Sequence, residues 1–268
     1  MYLCANNKIA KKTMSTYLEE FHKLKIFHKK DIVALTGDEN AAKELLRRHK
    51  QRGLISQVRR DLYVATEFAT KTSSASRYEI GSQINNSSFL SYHAALEYHG
   101  LAHQVFYELQ ISSKERFNSF EYERISYIYS ESKSDIGVVT PPTDTLIRVT
   151  DLERTILDCL NKIDRSGGLE EIVECFALIT YVNENKLQDY LKQFRKQALF
   201  QRAGFILSYF QKEMKLSNAF FDLCKSKIGK SIRYLTDKQG SDTYFNEWKL
   251  YAPENILSFL EQGGNVNV

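Results

Sequence analysis

Apolar positions in the first seventy residues recur at helical spacing and then switch to alternation. Tyr17, Leu18, Phe21 and Leu24 share one face, preceded by Thr16 and Glu19, whose spacing has capping-box form. A second short helix is expected over residues 29–35. It should stop at Thr36-Gly37, because glycine takes the left-handed conformation that closes a helix. Asp38 is then placed to cap a third helix reaching about Gln51, with Gly53 as its stop. On that helix Ala42, Leu45, Leu46 and His49 form one stripe, and Lys43, Arg47 and Lys50 form another. Residues 54–58 and 62–64 are short β-prone runs around Arg59-Arg60-Asp61, which predicts a hairpin with a cationic tip. Helix, helix, turn, helix and hairpin is the order of a winged helix-turn-helix.

Residues 67–88 are rich in Ser, Thr and Asn at both ends and are expected to hold the connection to a second domain. That body opens with a helical pattern over 89–101, stopped by Gly100. A strand with Val105, Tyr107, Leu109 and Ile111 on one side follows, then an alternating run at Ile125, Tyr127 and Tyr129, and short strands at 136–140 and 145–149. Helical patterns then cover 151–163, 169–179, 185–194, 198–214 and, more weakly, 218–227. Strands at 231–235 and 244–251 precede a closing helix after Pro253. The expectation is an α+β protein: a winged helix-turn-helix over 1–70 and a larger mixed α+β domain over 71–268.

Composition narrows the class. With 43% apolar and 26% charged residues the chain is globular, and no run approaches the roughly 18 apolar residues that a membrane span requires. The first residues lack an apolar run followed by a small-residue cleavage site, so a cytoplasmic protein is expected. Cys4, Cys159, Cys175 and Cys224 are widely spaced, which argues against a zinc framework or disulfides and for free buried thiols. Charge is uneven: residues 1–70 hold 14 Lys and Arg against 8 Asp and Glu, the remainder 23 against 25. The excess concentrates in Lys43, Arg47, Arg48, Lys50, Arg52, Arg59 and Arg60, the expected DNA-binding residues, with Lys43, Arg47 and Lys50 facing the groove and the others on the phosphate backbone.

Candidate chemistry is sparse. Asp151, Glu153 and Asp158 surround Arg154, but Thr150 with Glu153 again has capping-box form and Ile156, Leu157 and Leu160 supply a buried stripe, so a helix start is expected. His93, His99 and His103 are expected as core or cap residues, since Gly100 interrupts the i, i+4 spacing of the last two. Glu247-Trp248-Lys249 has the E-x-K form of metal-dependent nucleases on an expected strand, with Asp237 or Asp242 upstream. The simpler account makes Trp248 a core anchor between exposed charges. Gly-rich phosphate loops and a nucleophile elbow are absent. No catalytic residue, metal site or cofactor is therefore expected.

Several stretches together resemble a known family. The wing residues Arg59, Arg60, Leu62 and Tyr63, S-Y-H-A-A-L-E-Y-H-G-L at 91–101, R-V-T-D-L-E-R-T-I-L-D at 148–158 and G-G-L-E-E at 167–171 are similar to the AbiEi-type antitoxins of bacterial type IV toxin-antitoxin and abortive-infection (phage defence) systems. The resemblance spans nearly the whole chain. It implies an N-terminal domain that binds promoter inverted repeats and represses its own operon. It further implies a C-terminal domain that neutralises a nucleotidyltransferase-like toxin, and no enzymatic activity. Wings of the family commonly carry Gly where this chain has Asp61, a carboxylate that would weaken phosphate contact unless it pairs with Arg59 or Arg60. The alternatives are a nuclease using Glu247 and Lys249, or a transcriptional regulator with no toxin partner.

Overall fold

The computed structural model describes residues 14–67, 69–236 and 243–262. Its α+β chain divides into two compact units, residues 1–80 and 81–268. The division falls at 80/81 rather than 70/71 because the segment after the hairpin is tied back into the first unit. Thr66 forms a bridge with Ser73, Ser74 N–H donates to Ala65 O at 2.9 Å, and Lys25 Nζ meets Glu79 Oε1 at 3.0 Å.

In the first unit α1 (Met14–Leu24), β1 (Ile26–His28), α2 (Lys29–Thr36) and α3 (Glu39–Gln51) lead into the hairpin of β2 (Ile55–Arg59) and β3 (Leu62–Ala65). Thr16 lies within α1, so it does not occupy the N-cap that its spacing with Glu19 suggested. Gly37 sits at φ 73° and its N–H donates to Val33 O at 2.8 Å, which ends α2. Asp38 then accepts from Ala41 N–H at 2.7 Å, so a left-handed glycine and a capping carboxylate turn the chain between two helices within two residues. Strand β1 was not foreseen, being too short to show alternation. It pairs antiparallel with β3, Phe27 opposite Tyr63, and gives a sheet of order β1-β3-β2. Phe21, Phe27, Ile32, Ala42, Leu46 and Ile55 form the core, with Phe21 stacked on Phe27 at 4.9 Å and edge-on to His49 at 5.0 Å.

Helix α4 (Arg77–Ser82) spans the division. The second unit contains β4 (Phe89–Leu90), α5 (His93–Tyr98), β5 (Glu108–Ser113), β6 (Phe120–Tyr122), β7 (Ile125–Glu131), β8 (Val138–Val139) and β9 (Val149–Thr150), in a mixed sheet of order β6-β7-β5-β4-β9-β8. Helix α5 is shorter than the 89–101 pattern suggested, because Phe89 and Leu90 are wholly buried and spend their backbone on β5 and β9. The strand expected from Val105 begins only at Glu108. Val105 and Tyr107 are exposed before it.

A helical layer follows: α6 (Leu152–Asn161), a 3-10 turn at Ile163–Ser166, α7 (Gly168–Ala177), α8 (Glu184–Phe194), α9 (Gln197–Ser208) and α10 (Asn218–Ser226). Residues expected as one strand at 244–251 split into β11 (Thr243–Phe245) and β12 (Leu250–Ala252), joined in the order β10-β12-β11 with β10 (Arg233–Tyr234), before α11 (Ser258–Gln262). Asp151, not Thr150, is the N-cap of α6, accepting from Arg154 N–H at 3.0 Å. Thr150 instead ends β9 and holds Thr155 Oγ1 at 2.7 Å. Ile156, Leu157 and Leu160 are buried, as their stripe required, with Ile172, Phe176, Leu191 and Phe205 in the same core. Trp248 packs on α9 at Gly204, where an added Cβ would run into the indole. Among the described residues no helix is long and apolar enough to cross a membrane.

Candidate nucleic-acid interface

Helix α3 is two-faced because its apolar and cationic residues repeat on different sides of the same 3.6-residue turn. Ala42, Leu46 and His49 are buried, Leu45 is half-buried, and Lys43, Arg47, Arg48 and Lys50 are exposed. His49 is held in the core by an Nδ1–H donated to Leu45 O at 2.8 Å. The cationic face is not a row of loose charges. Arg47 donates through Nε and Nη2 to the two oxygens of Glu44, both at 2.8 Å, and through Nη1 to Gln51 Oε1 at 3.1 Å; Arg48 Nε donates to the same Glu44 at 2.7 Å. One carboxylate therefore neutralises part of two guanidiniums. The hydrogen bonds from Arg47 and then Arg48 hold Glu44 down at about 2.

Lys43 meets Glu39 at 3.1 Å, and Lys29 reaches the same carboxylate at 2.8 Å. Hydrogen bonds from Lys29 and Lys43 likewise hold Glu39 at about 2. Lys50 Nζ donates to Gln57 Oε1 at 2.7 Å, fastening the end of α3 to β2. Arg52 is exposed just past the helix, and Arg59 is half-buried, where burial lowers the pKa of its guanidinium. Arg60 is 94% exposed at the hairpin tip, and Asp61 beside it lies at φ 62°, left-handed backbone that suits glycine. Arg60 Nε lies 3.5 Å from Asp61 Oδ2, the pairing by which the carboxylate's charge is offset. Asp61 O accepts from Lys29 N–H at 3.0 Å, so the tip is joined to the start of α2.

Thus Lys43, Arg47, Arg48 and Lys50 share one exposed helix, while Arg59 and Arg60 stand on the hairpin that follows it. The residues missed from sequence are the partners. Glu44 was legible at i, i+3 and i, i+4 from Arg47 and Arg48, whereas Lys29 comes to Glu39 only through the turn between helices.

No family model and no curated protein matches this chain. Among solved structures, the crystal structure of the RV2827C protein from Mycobacterium tuberculosis matches over 94% of both chains, with a TM-score of 0.63 at 14% identity. That likeness is one of fold.

The other candidate groups are placed in the second unit. Glu247-Trp248-Lys249 lies on the turn between β11 and β12, not on a strand; Glu247 pairs with Lys225 at 2.5 Å, Lys249 Nζ donates to Gly229 O at 2.9 Å, and Trp248 between them is buried. Asp237 and Asp242 lie outside the described residues. Arg154 and Asp158 form a buried pair, Nε to both carboxylate oxygens at 2.9 Å, with the guanidinium also over the Phe194 ring. Burial pushes Asp158 up to about 6 despite Arg154. Arg202 donates to Leu160 O and Asn161 O, carbonyls at the end of α6. Lys192 pairs with Asp189, Lys196 reaches Asn161 Oδ1 at 3.2 Å, and Arg195 ends α8 in the left-handed region. His99 donates to Thr150 O at 2.7 Å, and His93 is buried beside Glu171.

Proposed function

We propose that the first unit is a winged helix-turn-helix that reads duplex DNA through α3 and the β2-β3 hairpin, and that the protein is a non-enzymatic, cytoplasmic antitoxin of the AbiEi type. The observation that carries the DNA-binding part is the division of α3 into a core stripe of Ala42, Leu46 and His49 and an exposed stripe of Lys43, Arg47 and Lys50. A helix held by one face against its own sheet can lay the other in a major groove, and the hairpin tip with Arg60 can follow the phosphates. On this reading the protein represses its own operon at promoter inverted repeats. The larger unit neutralises a nucleotidyltransferase-like toxin encoded alongside; the sequence motifs at 148–158 and 167–171 support that part.

Mobility shift on the operon's promoter tests the DNA reading. The full chain should shift it, and Lys43→Ala, Arg47→Ala and Lys50→Ala together should abolish the shift; a triple variant that binds as the parent does refutes the assignment. Arg47→Ala alone should cost about 1–3 kcal/mol if the guanidinium reads a guanine edge, with the loss confined to the cognate sequence. Co-expression with the neighbouring open frame tests the antitoxin reading: growth arrest by that frame alone, relieved by this chain, is expected. A neighbour that is harmless, or whose toxicity this chain leaves unchanged, defeats it.

A further inference from the structure

The second unit holds a cluster that the proposed function does not use. Glu171 on α7 is 1% exposed, and its two oxygens are treated differently. Oε1 accepts from His93 Nε2 at 2.9 Å, from the backbone N–H groups of His103 and Gln104 at 3.0 and 3.1 Å, and from the Cys175 thiol at 3.3 Å. Oε2 has no hydrogen-bond partner among the described residues. It points toward His103, whose Nδ1 lies 4.0 Å away and also 2.9 Å from Glu174 Oε2. That second contact lacks hydrogen-bond geometry, so the buried Glu174 oxygen is orphaned as well. A buried carboxylate oxygen facing no donor is costly, and two facing the same imidazole nitrogen call for a cation between them.

We propose that His103 Nδ1, Glu171 Oε2 and Glu174 Oε2 bind a divalent transition-metal ion of the zinc class, which fastens the segment after α5 onto α7. Each of the three residues offers a ligand atom within 4.8 Å of the other two. Zinc bonds of about 2.0–2.2 Å to nitrogen and oxygen place tetrahedral ligand atoms about 3.3–3.6 Å apart, and the 2.9 and 4.0 Å separations measured from Nδ1 bracket that value. One imidazole with two carboxylates suits zinc or its first-row neighbours better than magnesium, which prefers an all-oxygen octahedron. His103 is half-exposed, which leaves an entrance and a fourth position for water. The supporting shell is already built. His93 and the two backbone N–H groups fix Glu171 through its other oxygen, as outer-shell donors fix metal-binding carboxylates. Gly167, at φ 86°, brings the chain so close that an added Cβ would lie 2.9 Å from Glu171 Cγ and 2.8 Å from the Phe106 ring. The buried Cys175 thiol is spent on Glu171 Oε1, the oxygen that does not face the His103 imidazole.

The test is calorimetric titration of Zn2+ into chelator-treated full-length protein, with Co2+ absorption as a second readout of ligand geometry. One ion should bind per chain, and Mg2+ at millimolar concentration should not displace it. His103→Ala and Glu174→Gln should each weaken binding at least about tenfold, the loss that even outer-shell changes produce, and shift the Co2+ spectrum, while the metal-free variants melt close to the parent. His103 is half-exposed, so His103→Ala reads the site even if Glu174→Gln fails to fold. Absence of one-to-one binding, or binding and a Co2+ spectrum unchanged in His103→Ala, would overturn the proposal.

Discussion

Glu44 holds two of the cations that the proposed interface needs, so the most informative single change removes a negative charge. In Glu44→Gln the amide can no longer neutralise Arg47 and Arg48, which now reach Glu44 at 2.7–2.8 Å. In the parent, each guanidinium must give up part of that pairing before it meets DNA, Arg48 at a phosphate and Arg47 at a base edge. Each cation fully released to the backbone steepens the plot of log affinity against log salt by about 0.9, equivalent to about fivefold tighter binding near 0.15 M salt. Glu44→Gln should therefore bind promoter DNA about fivefold more tightly and steepen the slope by about 1 through Arg48, with any further gain through Arg47 confined to the cognate sequence. Fluorescence anisotropy between 50 and 300 mM salt measures both quantities. The pH dependence has a definite sign. Because Arg47 and Arg48 depress the Glu44 carboxyl to about 2, below its ordinary 4.5, its charge persists as pH falls from 7 to 5 and is lost only on approach to pH 2. The difference between parent and variant should thus be as large at pH 5 as at pH 7. A slope that does not change in Glu44→Gln, or weaker binding, would show that this face of α3 does not meet phosphate.

Other perturbations read the fold that carries the interface. Asp38→Ala removes the oxygen that accepts from Ala41 N–H and should destabilise the first unit by about 0.5–2 kcal/mol, visible as an earlier urea midpoint; an unchanged midpoint would show the cap to be idle. Gly204→Ala puts a methyl against the Trp248 indole and should cost about 1–3 kcal/mol or more by overpacking, with a shift in tryptophan emission, whereas a variant melting with the parent contradicts the close approach. Burial pushes the Cys159 and Cys175 thiols well up and Cys224 to about 12, so all three should resist an aromatic disulfide reagent at pH 8 until denaturant is added. Rapid labelling of any of them in the native protein, mapped by mass spectrometry, would be the contrary result.

Local patterns carried much of the architecture. A stripe such as Ala42, Leu46 and His49, a closing Gly37 and a capping Asp38 act within a few residues of one another, so their physics is written in consecutive letters, and the separation of core from cation on α3 follows from the same spacing. Short strands were hidden for the opposite reason. Phe89-Leu90 reads as the start of a helix, since two apolar residues have no measurable period; the partners at Ile111 and Val149 make it a strand. The same limit governs chemistry. His103 and Glu171 are 68 residues apart and Glu171 reads as one acid of a helical G-G-L-E-E motif, yet packing α5 and its following loop on α7 leaves one carboxylate oxygen saturated and the other bare. Conversely, Glu247 and Lys249 look paired on paper, but the turn that buries Trp248 sends their charges to Lys225 and Gly229. Periodicity encodes which face of an element is apolar. It contains nothing about which two elements meet, because that is settled by the joint burial of distant side chains and the satisfaction of the polar groups carried in with them.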